Sequence, residues 1–211
     1  ARCTALRSPR ARRSPCLPTF CARAPCSHES TVCALHTHLC ETKGRRTLHA
    51  RARGVRPLEY MERLGWTGSN VWFAHGIHFN DEELRVLAKT GTGVAHCPIS
   101  NMKLSSGIAG SRRCWSWAFP WDWPWTAALQ RRLQPYGGAA GSFLLHRLNA
   151  SRRAPTGYDV LKMATRGSAR LLGRDDIGQL AVGKCADLFM IDSRRLELVG
   201  SCFDPSRCWV P

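Results

Sequence analysis

The chain has 211 residues, and its 31 Lys and Arg outnumber its 15 Asp and Glu to give a formal net charge of +16. No apolar run reaches the roughly 18 residues that a membrane-spanning helix requires, so no such helix is expected. The 11 cysteines are odd in number, follow no regular spacing and include no CxxC pair. This usage argues against a disulfide framework and against a thiolate zinc site.

The positive charge is concentrated in three segments. Residues 1–30, 43–53 and 110–153 hold 18 of the 31 basic residues but only two acidic ones. The rest of the chain has the charge balance of an ordinary soluble protein, so the basicity does not form a designed binding face. We therefore expect a cytoplasmic protein that binds neither nucleic acid nor membranes. The alternative is a non-catalytic basic protein that binds nucleic acid, with an affinity that falls steeply with salt.

Short apolar runs alternate with amphipathic segments between residues 31 and 97. The apolar runs have the profile of buried parallel strands, predicted at 31–39, 70–75 and 93–97. The amphipathic segments predict helices at 56–66 and 80–91. In the second helix, Asn80 can cap the N-terminus, with Glu83 three residues later as in a capping box. Gly91 ends the helix. Alternation of this kind predicts βα units around a parallel sheet or barrel.

The pattern is lost after residue 110 and returns near residue 143. Residues 156–173 again predict a helix, because apolar residues recur there at helical spacing. Gly178 and Gly183 mark turns, and 186–191 is a compact apolar run typical of a strand. The end of the chain therefore predicts the edge of a small β-domain beside the barrel.

Side chains that can bind metal or move protons follow the three predicted strands. His38 shares a face of the first strand with His36, because side chains alternate with a period of two, and Glu41 follows in the loop. His75 and His96 end the next two strands. The carboxyl ends of the strands form the catalytic face of a (β/α) barrel. Three such ends with histidine, one beside a carboxylate, suit a metal-bound hydroxide and its proton shuttles.

Lone histidines at strand ends are more often hydrogen-bonded structural residues than ligands. His49 lies in a basic stretch and His146 lies apart from the strand ends, so both keep the structural interpretation.

Four blocks of the sequence are long and ordered enough to compare with known families: HTHLCET, RPLEYMERLGW, VWFAHGIHFNDEELRVLAKTGTGVAHCPISNMKLSSGIA and ATRGSARLLGRDDIGQLAVGKCADLFMID. They resemble the amidohydrolase superfamily, and within it the 8-oxoguanine deaminases and their hydroxyatrazine and guanine deaminase relatives. The resemblance implies an α/β fold, a partial (β/α)8 TIM-like barrel of the metal-dependent hydrolases with a fragment of a small β-sandwich at the C-terminus. It also implies Zn2+-dependent hydrolytic deamination of a purine-like or triazine-like small molecule.

The resemblance further implies roles for individual residues. His38 would be a zinc ligand from the fifth barrel strand, and Glu41 would shuttle protons between the metal-bound water and the ring nitrogen or leaving ammonia. His75 would stabilise or deprotonate the attacking water. Three residues would lie next to the substrate: Ser100, Asn101 and His96. Two further histidines would support the site or the fold without binding metal: His36 and His78.

Two other ligand sources of the family do not appear in this sequence: an upstream HxH pair on the first barrel strand and an Asp on the eighth. The Asp should fall between Ala109 and Asn149, where CWSWAFPWDWPW stands at 114–125. Trp125 and Thr126 must be encoded TGG-ACN, and reading from the third base gives GAC, an Asp codon. We therefore interpret 111–142 as an out-of-frame translation. A platform for stacking bases and a membrane-interface segment are the alternatives.

The sequence thus divides into three expected parts. Residues 1–30 are incoherent and either disordered or out of frame, 31–175 form a partial amidohydrolase barrel, and 176–211 form a partial β-sandwich. Because His38 is one ligand where this enzyme class needs about four, we expect weak zinc binding and no turnover by the chain as written. A homo-oligomer is compatible with these expectations, since relatives generally associate.

Overall fold

The computed structural model of the chain describes residues 34–109, 125–127, 137–150 and 155–192, with single residues at 194, 196, 198 and 204. Its elements follow in this order: β1 (Leu35–Leu39), α1 (Lys43–Arg53), α2 (Pro57–Arg63), β2 (Val71–His75), α3 (Asp81–Thr90), β3 (Gly93–His96), α4 (Pro98–Lys103), β4 (Trp125–Ala127), α5 (Gly137–Ala150), α6 (Gly157–Lys162), a π-helical turn (Met163–Gly167) and α7 (Ser168–Leu171). None of the described helices is long and apolar enough to cross a membrane.

The four described strands form one parallel sheet, in which each strand lies beside the strand that precedes it in the chain. Leu39 at the end of β1 lies opposite His75 at the end of β2. Parallel neighbours need crossover connections, and helices α1, α2 and α3 lie in the connections between the first three strands. The predicted alternation of strands and helices is confirmed for 34–97.

The core of this region consists mainly of apolar side chains from β2, β3, helices α2 and α3 and the segments that adjoin them. Its fully buried members are Leu58, Phe73, Leu87, Val94 and Ala109. Full burial of a Leu or Phe side chain contributes about 1.5–3 kcal/mol. Apolar packing of this kind is therefore what holds α2 and α3 to the sheet.

Helix α3 is capped at both ends in the way its sequence predicts. The Asn80 side chain accepts a hydrogen bond from the Glu83 amide at 2.8 Å, and the Glu83 carboxylate accepts one from the Asn80 amide at 2.9 Å. Gly91 ends the helix in the left-handed conformation, with φ of 70°. Arg56, at the start of α2, pairs with the same Glu83 carboxylate at 2.5 Å. The capping box thereby also joins two helices.

Helix α1 was not predicted from the sequence. The Arg53 guanidinium donates to the Tyr60 hydroxyl at 2.9 Å, and the His49 ring meets the Tyr60 ring edge-on with centroids 5.1 Å apart. These contacts place α1 against α2.

Two elements overlap the segment that we interpret as out of frame. Trp125–Ala127 forms β4, which pairs with β3 in parallel register, and α5 begins at Gly137. The interpretation concerns the coding DNA and stays a prediction.

The helix predicted at 156–173 is present from Gly157 to Leu171, with a π-helical turn in its middle. Thr156 and Asp159 form a capping box at its start. Gly178, with φ of 88°, comes so close to this helix that a Cβ atom there would lie 2.8 Å from the Cβ of Ala169. The turn predicted at Gly178 is therefore also a packing contact.

The strand predicted at 186–191 was wrong. The structure assigns neither strand nor helix to these residues, and most of them are exposed. A strand needs a neighbour for its backbone groups, and the described strands pair only with one another. The preceding residues instead form a local turn, in which the Cys185 amide donates to the Asp176 carbonyl at 2.7 Å. Among the described residues of 176–211, the structure contains no part of a β-sandwich.

Candidate active site

The carboxyl ends of β1 and β2 bring together two imidazoles and one carboxylate. The rings of His38 and His75 have centroids 5.1 Å apart, and their planes are inclined by 36°. The Nε2 atom of His75 lies 3.5 Å from Oε1 of Glu41. His38 is exposed, whereas His75 is 4% exposed. The three groups therefore line one edge of the sheet, from its interior to solvent.

Backbone hydrogen bonds between two loops hold Glu41 near His75. The Gly76 amide donates to the Leu39 carbonyl at 3.1 Å, and the His78 amide donates to the Cys40 carbonyl at 3.0 Å. These bonds join the loop after β1 to the loop after β2. The carboxylate and the imidazole are thus positioned by the two strands that carry them.

His75 also contacts a side chain from α4. Its Nδ1 atom lies 2.8 Å from Oδ1 of Asn101, and an amide oxygen can only accept, so Nδ1 donates. Asn101 is completely buried. His75 itself has a φ of 75°, in the left-handed region that residues with a side chain rarely adopt. The family resemblance implied that Asn101 lies beside the substrate, which stays a prediction, and nothing local in the sequence indicates its contact with His75.

The other residues predicted beside the substrate lie deeper or further along α4. Ser100 precedes Asn101 and is half-buried. His96 is completely buried, with its ring centroid 5.1 Å from that of His146 on α5. Burial is the main cause that lowers the pKa of His96 to about 3, and it also lowers the pKa of His146 to about 4. Both rings are therefore neutral near pH 7, and the substrate contacts of Ser100 and His96 stay predictions.

His36 and His78 lie outside this cluster and make contacts of their own. The His36 ring stacks on Trp72 with centroids 4.1 Å apart and planes inclined by 7°. The His78 Nε2 atom lies 3.0 Å from the Ser106 carbonyl oxygen and donates to it. Burial lowers the pKa of both histidines. These contacts suit supporting roles in the fold.

Cys97 is a neighbour of the cluster that the sequence patterns did not indicate. Its half-buried thiol donates weakly to the Ala95 carbonyl at 3.5 Å. Burial is the main cause that raises the pKa of the thiol. A hydrogen bond with the His75 backbone lowers this pKa, and the charge of the nearby Glu41 carboxylate raises it. The thiol is therefore protonated near pH 7 and a poor metal ligand.

The described residues do not by themselves fit a zinc ion. Imidazole nitrogens and carboxylate oxygens are ordinary zinc ligands, and His38, Glu41 and His75 supply both kinds. Within the described part of the chain, however, no group of three or more His, Cys, Asp or Glu side chains is arranged to hold a metal ion.

Comparison with known proteins shows similarity to several hydrolytic enzymes. The chain is 40% identical over 183 residues to the 8-oxoguanine deaminase of Pseudomonas aeruginosa, a match that covers 79% of this chain and 37% of that protein. It is 37% identical to the hydroxydechloroatrazine ethylaminohydrolase of Pseudomonas sp. (strain ADP), over 82% of this chain and 36% of that protein. The chain thus spans less than half the length of these relatives.

A solved structure and a family model agree with these relatives. An adenosine deaminase from Xanthomonas campestris with bound zinc superposes with a TM-score of 0.79 at 27% identity, over 90% of this chain and 44% of that one. This similarity implies a TIM-barrel-like fold, of which the four parallel strands form a part. The model of the Amidohydrolase family matches residues 31–205. This match over most of the chain, together with the relative at 40% identity, shows that the chain belongs to the amidohydrolase family.

Proposed function

We propose that the chain is part of a zinc-dependent hydrolytic deaminase that acts on a purine-like ring, with 8-oxoguanine as the first candidate substrate. The observation that carries the proposal is the Glu41–His75 pair at the carboxyl ends of β1 and β2. The similarity to the Pseudomonas aeruginosa 8-oxoguanine deaminase supports the choice of substrate class.

Hydrolytic deamination exchanges an amino group on a ring carbon for the oxygen of water. Water adds to the carbon, a ring nitrogen gains a proton, and the amino group leaves as ammonia after gaining another. A carboxylate that can take a proton and then deliver it serves both transfers. Glu41 has this role in the proposal, because its carboxylate is largely buried and adjoins the edge where the substrate would bind.

His75 has a second role, which follows from its distance to Glu41. At 3.5 Å the two groups are too far apart for a strong direct hydrogen bond, yet close enough to act on one water molecule. His75 would orient that water or accept its proton, while Glu41 serves the ring nitrogen and the leaving group.

The zinc requirement is also part of the proposal. His38 is the ligand that this chain would contribute, since its exposed ring lies beside His75 at the open edge of the sheet. The remaining ligands would come from outside the described residues. The bound zinc of the Xanthomonas campestris structure supports the zinc requirement.

A chimera tests the proposed function, because the chain spans less than half the length of its relatives. Residues 34–109 and 143–192 of this chain replace their counterparts in the Pseudomonas aeruginosa 8-oxoguanine deaminase. We expect ammonia release from 8-oxoguanine. Glu41→Gln should lower kcat by about 10²–10⁴-fold, since the amide keeps the shape of the side chain but cannot move a proton.

Glu59→Gln is the matched control for Glu41→Gln. Glu59 lies exposed on α2 and pairs with Arg63, so its removal should leave kcat unchanged. Guanine and a hydroxytriazine, assayed beside 8-oxoguanine, identify the preferred ring. A folded, zinc-loaded chimera that releases ammonia from none of the three contradicts the proposal, as does full activity of the Glu41→Gln variant.

A further inference from the structure

Asn101 is directed at the ring of His75 from the side opposite Glu41. Its Oδ1 atom lies 2.8 Å from Nδ1 of His75, while Nε2 of the same ring lies 3.5 Å from Oε1 of Glu41. Because Oδ1 can only accept, Nδ1 carries a hydrogen, and in the neutral ring the lone pair is therefore on Nε2. The three side chains thus form a line from Asn101 through the imidazole to the carboxylate.

We propose that Asn101 is a positioning residue, which holds the neutral ring of His75 in the Nδ1–H tautomer and leaves the Nε2 lone pair for a water molecule between Nε2 and Glu41. It acts through His75 and does not contact the substrate. The inference rests on the proposed function, because a proton acceptor at Nε2 has a use only if this site moves protons.

The backbone of α4 holds Asn101 in place from both sides. The Asn101 amide donates to the Cys97 carbonyl at 2.9 Å, and its carbonyl accepts from the Ser106 amide at 2.9 Å. The residue is also 0% exposed. Its side-chain oxygen is therefore a fixed acceptor, to which the imidazole of His75 must adapt.

The end of β2 fixes the other partner of this hydrogen bond. His75 has a φ of 75°, a conformation that persists in a residue with a side chain only where its surroundings determine it. The next peptide is tied to β1, because the Gly76 amide donates to the Leu39 carbonyl at 3.1 Å. The direction of the imidazole is thus set by backbone on one side and by Asn101 on the other.

Burial separates a positioning role for Asn101 from contact with a substrate. Its oxygen is occupied by His75, and its Nδ2 atom is buried with no hydrogen-bond partner among the described residues. If the amide oxygen and nitrogen exchanged places, Asn101 would donate to Nδ1, and the ring hydrogen would lie on Nε2 instead. The tautomer of His75 therefore decides whether the inference is correct.

The experiment is long-range ¹H–¹⁵N NMR on the ¹⁵N-labelled full chain at alkaline pH, without substrate or metal. His75→Gln identifies the signals of His75, which should show hydrogen on Nδ1. Asn101→Asp should keep this tautomer, because a carboxylate only accepts. Asn101→Leu should shift the ratio of the two His75 tautomers about tenfold toward Nε2–H. This factor corresponds to the loss of a hydrogen bond of about 1.4 kcal/mol. Met102→Leu, exposed on the same helix, should change nothing.

Hydrogen on Nε2 in the unaltered chain overturns the inference, and so does an unchanged ratio in a folded Asn101→Leu variant. If that variant does not fold, Asn101→Asp provides the test. Loss of the Nδ1–H tautomer in Asn101→Asp would also overturn the inference. The measurement does not depend on turnover. An inactive chimera with an intact Nδ1–H signal from His75 would count against the proposed deaminase and leave the positioning role standing.

Discussion

His96 and His146 form a buried imidazole pair at the contact between β3 and α5. Both rings are completely buried, and burial lowers the pKa of His96 to about 3 and that of His146 to about 4. An unfolded histidine has a pKa of about 6.5. The unfolded chain therefore binds protons more readily than the folded chain, and acid favours unfolding.

We predict that the free energy of unfolding falls as the pH drops from 6.5 toward 4. Above pH 6.5, protonation of His96 and His146 should not affect it. At pH 5 each buried histidine should lower the free energy of unfolding by about 2 kcal/mol. This figure follows because each pH unit below 6.5 costs about 1.4 kcal/mol for each histidine. Urea unfolding of the full chain at pH 7.5 and pH 5 measures the difference. His96→Gln should reduce the pH dependence and His38→Gln, an exposed ring, should not. An equal dependence in both variants contradicts the prediction.

At the scale of single residues, the sequence indicates His38, Glu41 and His75 because each lies at or just after a strand end. Strand ends can be located from apolar runs and from the period of two. The partners of these residues are a different matter. Asn101 lies 26 residues after its partner His75, and no local pattern connects them. The contact between His146 and His96 joins β3 to α5, which lie on either side of the Trp-rich segment in the sequence. It could not be predicted from the sequence either.

The turn after β2 shows how one element constrains the next. Gly76 has a φ of 62°, and a Cβ atom there would lie 3.0 Å from Phe79 and 3.0 Å from Val94 of β3. Both the backbone conformation and the space require glycine. Any side chain at this position would press on the strand that follows, directly beside His75.

We predict that Gly76→Ala lowers the free energy of unfolding by about 2–4 kcal/mol, because about 1 kcal/mol of conformational strain adds to 1–3 kcal/mol of overpacking. Gly173→Ala is the matched control, since Gly173 has a φ of 64° and nothing lies within 4 Å of its Cβ position. It should show the conformational part alone. Urea unfolding midpoints of the two variants give the comparison, and equal losses would rule out crowding.

Elements with strong local signals could be predicted, and those that depend on distant partners could not. Helix α3 has a cap, an apolar stripe and a terminal glycine within its own sequence, and all three are present. The run at 186–191 has the composition of a strand, but no described strand lies beside it. Helix α1 is rich in basic residues and has few apolar ones, so periodicity did not predict the surface that it shares with α2.

At the scale of the whole molecule, part of the segment that we interpret as out of frame lies in the parallel sheet. A shifted frame turns Trp125 and Thr126 into an Asp codon, and the same residues form β4 at the edge next to β3. The interpretation expects the missing eighth strand at this position, next to the strand that the resemblance makes the seventh, and it stays a prediction.

We predict that resequencing the coding DNA for residues 100–150 reveals single-base changes on both sides of 111–142. The corrected frame should encode an Asp at the end of β4, where a fourth strand could deliver a carboxylate to the site. A second, independent DNA preparation serves as the control. An unchanged frame in both contradicts the interpretation and leaves the five tryptophans of 114–125 as true protein sequence.

The neighbour-by-neighbour order of the sheet also bears on how the chain folds during synthesis. Because β2 pairs with β1 and β3 pairs with β2, each strand finds its partner already made when it leaves the ribosome. At about 5–20 residues per second, the ribosome completes the stretch from Leu35 to Asn101 within about 15 seconds. The Glu41–His75 pair can thus assemble on the nascent chain as soon as β2 has left the ribosome, and Asn101 joins it when α4 follows.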